Sequence, residues 1–270
     1  MKDLATRALN MAQTRGASYA DVRVIRREIQ NIAVKNGQVE TLEQNESQGF
    51  GVRVIVNGAW GFASSSHTDF GDVEAVVNRA ITIAKASALT KLREVRLGPP
   101  EAHKDSYRSE YKLDPFMVSM SDKINLLLKA DEEMRRMGRA GVNLVTSAEL
   151  AFVREHKAFA STEGAQIEQE ILESGCEIHA LAANDAGEVQ ERTHPWGRHQ
   201  QTRGFEFVLE QDLVGNAARI AEEAIQLLTA DVCPEFDATT IILSGNQVAL
   251  QIHESCGHPI ELDRVLGTEE

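Results

Sequence analysis

Apolar residues recur at helical spacing from the start of the chain. Leu4, Ala8, Met11 and Ala12 follow Asp3, which the spacing predicts as an N-cap, and Gly16 stands where the helix should stop. From Tyr19 the period shortens to two. Strands are expected over residues 21–33, 38–45, 51–56 and 59–63, with Asn36-Gly37 and Asn57-Gly58 as two-residue hairpin turns, because both turn positions need positive φ. After Asp69 the stripe Val73, Val77, Ala80, Ile81 and Ala84 returns to helical spacing.

Residues 90–118 contain Gly98-Pro99-Pro100 and many charges without a sustained period, and read as a connector with at most one short element. The pattern then restarts. Ile124, Leu127, Leu128 and Met134 predict a helix closed by Gly138; residues 143–154, 157–161, 166–182 and 203–209 read as extended; Leu213, Ala217, Ile220, Ala224 and Leu228 predict another helix. A helix–strands–helix unit is thus repeated. Helices flanking a mostly antiparallel sheet make the expected class α+β, since hairpin turns cannot join parallel strands. Cys233-Pro234 breaks the helical pattern, a β-branched run over 239–243 predicts a strand, and Ser244-Gly245-Asn246 leads into a last helix. The expected organisation is an N-terminal α+β domain over 1–231, then the first strand and motif-bearing helix of an incomplete second domain over 232–270.

Composition narrows the partners. The chain has 270 residues, 42% hydrophobic and 26% charged, as in a soluble protein of one or two domains. A net charge of −13 without any basic run argues against direct nucleic-acid binding. No apolar run approaches the roughly 20 residues that span a bilayer, and the opening Met1-Lys2-Asp3-Leu4 is amphipathic, unlike a signal peptide. No membrane partner and a cytoplasmic location are expected. Cys176, Cys233 and Cys256, an odd number at wide spacings, predict thiols in a reducing compartment.

The candidate chemistry lies in His253-Glu254-Ser255-Cys256-Gly257-His258. Zinc hydrolysis needs neutral imidazoles to hold the metal, an open position for water and a carboxylate to take its proton, which nominates His253 and His258 as zinc ligands and Glu254 as general base. The spacing is five residues instead of the four of H-E-x-x-H, and on a regular α-helix it sets the histidines roughly 140° apart. A single π-turn of about 4.4 residues would bring them back together. Gly257 and Pro259 favour such distortion, so an irregular helix is expected at the motif. On spacing and composition alone a metal site and an ordinary half-buried histidine pair stand equally open.

Residues 246–267, Asn-Gln-Val-Ala-Leu-Gln-Ile-His-Glu-Ser-Cys-Gly-His-Pro-Ile-Glu-Leu-Asp-Arg-Val-Leu-Gly, resemble the signature of the TldD/PmbA metalloprotease family, also called modulator of DNA gyrase, and specifically its TldD branch. Tyr19-Ala20-Asp21-Val22-Arg23, Gly49-Phe50-Gly51-Val52-Arg53-Val54 and Gly58-Ala59-Trp60-Gly61-Phe62-Ala63 extend the resemblance along the chain. It implies a cytosolic zinc metallopeptidase acting on unfolded or modified peptides, as a TldD–TldE heterodimer with a TldE/PmbA-like subunit or as a homodimer. His253 and His258 match the family's histidine ligands and Glu254 its base. The family's third ligand is a cysteine in a β-rich C-terminal domain, and this sequence ends before it, so a zinc ion would find half a tetrahedral shell. The alternative is a non-catalytic partner or scaffold subunit that dimerises without retaining zinc.

Cys256 is a weaker ligand candidate, read first as a buried structural thiol. Glu261 and Asp263 could orient an imidazole from outside the shell or stand as plain exposed acids. His194-Pro195-Trp196-Gly197-Arg198-His199 reads as a surface loop, with a peptide-contacting edge anchored by Trp196 as the other possibility. His179 fits a satisfied sheet residue. Gly49, Gly51, Gly58 and Gly61 lack the following helix that a phosphate loop requires. Asp131-Glu132-Glu133 and Glu222-Glu223 read as solvated helix faces.

Overall fold

The computed structural model describes residues 1–100, 102–235 and 238–267, apart from the side chains of 197–199. It divides into two units, Met1–Ala230 and Asp231–Glu270.

In the first unit, helix α1 (Lys2–Thr14) buries Ala5, Ala8, Leu9 and Ala12. Met1, not Asp3, is its N-cap; Asp3 lies one step inside, in the first turn, where a carboxylate complements the helix dipole. Strands β1 (Tyr19–Lys35), β2 (Gln38–Val56) and β3 (Ala59–Ser65) form an antiparallel meander. Asn36 and Gly37 (φ 49° and 82°) and Asn57 and Gly58 (φ 53° and 72°) make the two hairpin turns as expected. The strands expected over 38–45 and 51–56 are one. Glu46, Ser47 and Gln48 between them are exposed on both faces and lose the apolar alternation, yet the ladder runs on through Glu28↔Glu46 and Arg26↔Gln48. Helix α2 (Phe70–Ser87) is capped by the Asp69 carboxylate, which accepts from the Asp72 N–H at 3.1 Å.

The connector holds two short elements instead of one at most: β4 (Lys104–Arg108), parallel to the start of β6, and a 3-10 turn over Pro115–Met117. All of β4 is exposed, so no burial pattern announces it. Helix α3 (Met120–Arg135) is capped by Ser119. Then come β5 (Val142–Ser161), β6 (Gln166–Asn184) and β7 (Val189–Gln201), and β5 again joins two strands that were expected separately. The stretch expected as a loop, 194–199, lies in β7. Pro195 has no N–H to give the ladder, and the register of β7 against β6 shifts opposite it, between Cys176 and Ile178. The His199 side chain lies outside the described residues.

Residues 203–209 are not extended but turn into α4 (Phe205–Glu210), followed by α5 (Leu213–Leu227). Phe205, Phe207 and Val208 are buried, but so is Glu206, so the apparent alternation has no polar face. The Glu206 carboxylate accepts the backbone N–H groups of Leu113 (3.0 Å), Gly204 (3.1 Å) and Lys112 (3.2 Å), pinning the connector to α4. Burial alone would raise its pKa; those N–H groups outweigh it and hold the carboxyl below its ordinary 4.5.

The sheet order is β3-β2-β1-β5-β6, with β4 and β7 sharing the outer side of β6. Two meanders therefore meet back to back at the β1–β5 ladder. Ala20, Val22 and Val24 join the core under α1 and α2, whereas Ile32 and Val34 join the core under α3 and α5. All five have the same parity on β1, so both helix pairs cover one face and the other is open. Buried Lys123 of α3 ties the halves by donating to Gln30 Oε1 on β1; its ammonium lies 4.8 Å from the Phe152 ring centroid, and burial pushes its pKa down to about 8. Asp131, expected on a solvated face, is buried and accepts from Thr146 Oγ1 at 2.6 Å and Arg135 Nε at 2.7 Å.

In the second unit, the strand expected over 239–243 is not formed. Ile241 and Ile242 are 71% and 95% exposed, and a strand needs a partner that these described residues lack. Helix α6 (Gly245–Gln251), capped by Ser244, passes into a π-turn (Ile252–Gly257), a 3-10 turn (His258–Ile260) and α7 (Leu262–Val265). Among the described residues no helix is long and apolar enough to cross a membrane.

Two outcomes follow from the packing. A β-carbon at Gly61 would lie 2.0 Å from Ala80 O and 2.5 Å from Ala84 N, so Gly61→Ala must push α2 off β3; chemical denaturation should show a loss of about 1–3 kcal/mol. Glu206 has a depressed folded-state pKa, so its contribution is present above 4.5 and lost as pH falls through the lower folded value. Glu206→Gln should cost about 1–3 kcal/mol at pH 7, and the difference from wild type should shrink below pH 4.5 in acid-unfolding curves.

Candidate metal centre

The α6 sequence begins as an ordinary helix, capped at Ser244, and is widened at the motif. Over Ile252–Gly257 the backbone takes π geometry, the irregularity that a five-residue histidine spacing demands. Pro259, lacking an N–H, sits in the tighter turn that follows. This widening turns both imidazoles to one side: the His253 and His258 ring centroids are 4.6 Å apart at 87°.

Glu254 stands between them. Its carboxylate oxygens lie 3.8 Å from His253 Nε2 and 3.8 Å from His258 Nε2, and ligand atoms of the three residues all fall within 4.8 Å of one another. The cluster is open to solvent, with side chains 64% (His253), 61% (Glu254) and 34% (His258) exposed. The three residues nominated from the sequence are the ones that come together.

His258 is the more constrained imidazole. Its Nδ1 is 3.0 Å from Glu261 Oε1, and a carboxylate can only accept, so Nδ1 carries the hydrogen and the Nε2 lone pair is left facing the cluster. Arg264 Nε, 3.6 Å from Glu261 Oε2, holds that carboxylate in turn. Arg264 went unnoticed in the sequence, although Glu261 and Arg264 have the i,i+3 spacing of a helical ion pair. Asp263 instead accepts from the Arg264 backbone N–H. Cys256 is outside the cluster and exposed, correcting the expectation of a buried thiol; the π-turn lies on the surface of its unit.

The donor set fits a divalent transition metal in part. Two imidazole nitrogens, one with its tautomer fixed, and an adjacent carboxylate suit zinc, and two imidazoles alone occupy half of a tetrahedral shell.

The other singled-out residues serve the fold. His179 Nε2 meets the Glu191 carboxylate at 3.1 Å, and His194 Nε2 lies 2.8 Å from Gln211 O. Burial, and secondarily Glu177, pushes the Cys176 thiol up to about 12, which leaves it inert. No disulfide joins the cysteines.

Two family models match this architecture: the PmbA/TldA metallopeptidase domain 1 over residues 20–84 and the PmbA/TldA metallopeptidase central domain over residues 113–230. The chain belongs to the PmbA/TldD metallopeptidase family. The first match covers the β1–β3 meander and most of α2, the second the repeated half, and the motif helix lies beyond both. Among relatives, a metalloprotease of Methanocaldococcus jannaschii is 28% identical over 92% of this chain and 52% of its own length. A metalloprotease of Synechocystis is 26% identical over 92% of this chain and 50% of its own. The chain thus spans about half the length of the relatives it matches. Of solved structures, a Thermotoga maritima protein described as a modulator of DNA gyrase superposes with a TM-score of 0.66 at 14% identity, over 86% of this chain and 50% of that one. TldE of Thermococcus kodakarensis superposes with a TM-score of 0.61 at 16% identity, over 83% and 47%. These likenesses place the fold in the PmbA/TldD group.

The Glu261 contact has a direct spectroscopic consequence. In metal-free protein, 15N chemical shifts of His258 should report the Nδ1–H tautomer, and Glu261→Ala should abolish that bias while leaving His253 unchanged.

Proposed function

We propose that the chain is a TldD-type zinc metallopeptidase subunit that hydrolyses unfolded or modified peptides. The observation that carries this reading is the π-turn, which puts His253, Glu254 and His258 on one side despite their five-residue spacing. Metalloprotease relatives at 28% identity support the same class. In this reading residues 1–231 are an N-terminal domain and 232–270 the opening of a catalytic domain.

His253 and His258 would hold the metal through their imidazole nitrogens, with Glu261 keeping His258 in the competent tautomer. When bound, zinc supplies Lewis-acid polarisation of a peptide carbonyl and makes water acidic enough to lose a proton near pH 7. Glu254, with one oxygen 3.8 Å from each imidazole nitrogen, would be the base that takes the water proton and returns it to the departing amine. Two imidazoles would fill half of a tetrahedral shell and leave the other positions to groups outside this cluster. A TldE/PmbA-like subunit or a second copy completes the dimer. Extended substrate lies along a sheet edge, where backbone hydrogen bonds read peptides with little sequence preference. A cytoplasmic setting belongs to the same reading.

A second reading, a scaffold subunit that dimerises without retaining zinc, is favoured by the exposure of His253, 64% open to solvent. Metal analysis and peptide cleavage separate the two. For the catalytic reading, the assembled protein should contain one zinc per chain, and Glu254→Gln should lower kcat at least about 100-fold with zinc content retained. Activity that survives Glu254→Gln, or protein purified without zinc, would leave the scaffold reading.

A further inference from the structure

The helix-free face of the first meander carries a concavity of about 730 Å3, bordered by Arg23, Ile25, Arg53 and Phe62 and floored by Gly49 and Gly51. Register explains the hollow. Arg23, Gly51 and Ser64 form one row across β1, β2 and β3, and Asp21, Arg53 and Phe62 form the next. Arg23 and Ser64 are thus two strand spacings apart, about 10 Å, with no side chain between them.

Phe62 leans into this gap. A β-carbon at Gly51 would fall 2.8 Å from its Cε2 and 3.0 Å from its Cζ, and the residue is nevertheless 57% exposed. An aromatic edge rests on bare backbone with open space beside it. That arrangement suits a second flat apolar group, which would gain ring contact and cover glycine backbone.

The two guanidinium groups differ in what neutralises them. Arg53 donates from Nε to Asp21 at 2.8 Å and stacks over Trp60 at 4.7 Å. Arg23 lies 5.5 Å from the Phe159 ring centroid, and no carboxylate among the described residues stands within ion-pair distance of it. In a chain of net charge −13, the hollow therefore has one uncompensated positive charge. A single anionic group matches it; a dianion would leave a charge unmet.

We propose that this concavity is a binding site for a monocarboxylate with an aromatic body, the carboxylate received by Arg23 and the ring laid against Phe62 over Gly51 and Gly49. This chemistry belongs equally to a free aryl acid and to the C-terminal residue of a peptide. The site rests on residues of the first unit alone and does not depend on the metal reading.

Isothermal titration of the full chain with N-acetylphenylalanine, its amide and 3-phenylpropionate tests the assignment. Saturable binding of at least one acid is expected, with N-acetylphenylalanine amide about tenfold weaker than N-acetylphenylalanine. Arg23→Gln should erase the acid-over-amide preference. Gly51→Val, which suits a strand but displaces Phe62, should abolish binding at an unchanged circular dichroism spectrum; Phe62→Ala gives the same readout without altering the backbone. Preference for N-acetylphenylalanine over 3-phenylpropionate would identify the peptide terminus as the source, and the reverse a free aryl acid; either upholds the site. No saturable binding of either acid, or an acid-over-amide ratio that survives Arg23→Gln, overturns it.

Discussion

The ladder between β1 and β5 is the constraint on which the first unit depends. It runs antiparallel from Asp21↔Ser161 to Lys35↔Ser147 and is the seam between two meanders that would otherwise each be a small sheet with one core. Because side chains alternate, a slip of one residue would turn Val22, Val24, Ile32 and Val34 to the open face together and empty both cores at once. The two helix pairs thus enforce the same register from opposite ends of one strand. Lys123 adds a check of another kind. With its ammonium buried, Gln30 is its hydrogen-bonding partner, and a shifted register would strand that charge.

Most of this architecture was legible because it rests on local chemistry. Asn-Gly turns take their positive φ wherever they occur, and the stripes of α1, α2, α3 and α5 follow directly from burial on one face. What escaped depends on distant partners. β4 has five exposed residues and exists because the start of β6 offers it a free edge. α4 looked extended because Phe205-Glu206-Phe207 alternates, and only the backbone N–H groups of Lys112 and Leu113, more than ninety positions away, explain a buried carboxylate between two buried phenylalanines in sequence. Asp131 likewise appears solvated in sequence and is satisfied by Thr146.

The motif shows the opposite balance. Its residue types and the need for a distorted helix were both readable, since a five-residue repeat conflicts with an α-helical turn and only one geometry resolves it. The Glu261–Arg264 support was half visible: the acid could be nominated, but its choice over Asp263 depends on where the chain turns after Pro259. The strand expected over 239–243 failed for a reason that composition cannot supply, the identity of a neighbour.

The π-turn also bears on how such a site could change over generations. It carries one residue more than the equivalent α-helical turn, inserted between Glu254 and His258. Loss of one of Ser255, Cys256 or Gly257 would convert the five-residue spacing to four, and a regular helix would then hold the same two imidazoles on one face. Two spacings that look unrelated in sequence are therefore separated by a single codon's insertion or deletion, and each preserves the pairing only if backbone and spacing change together.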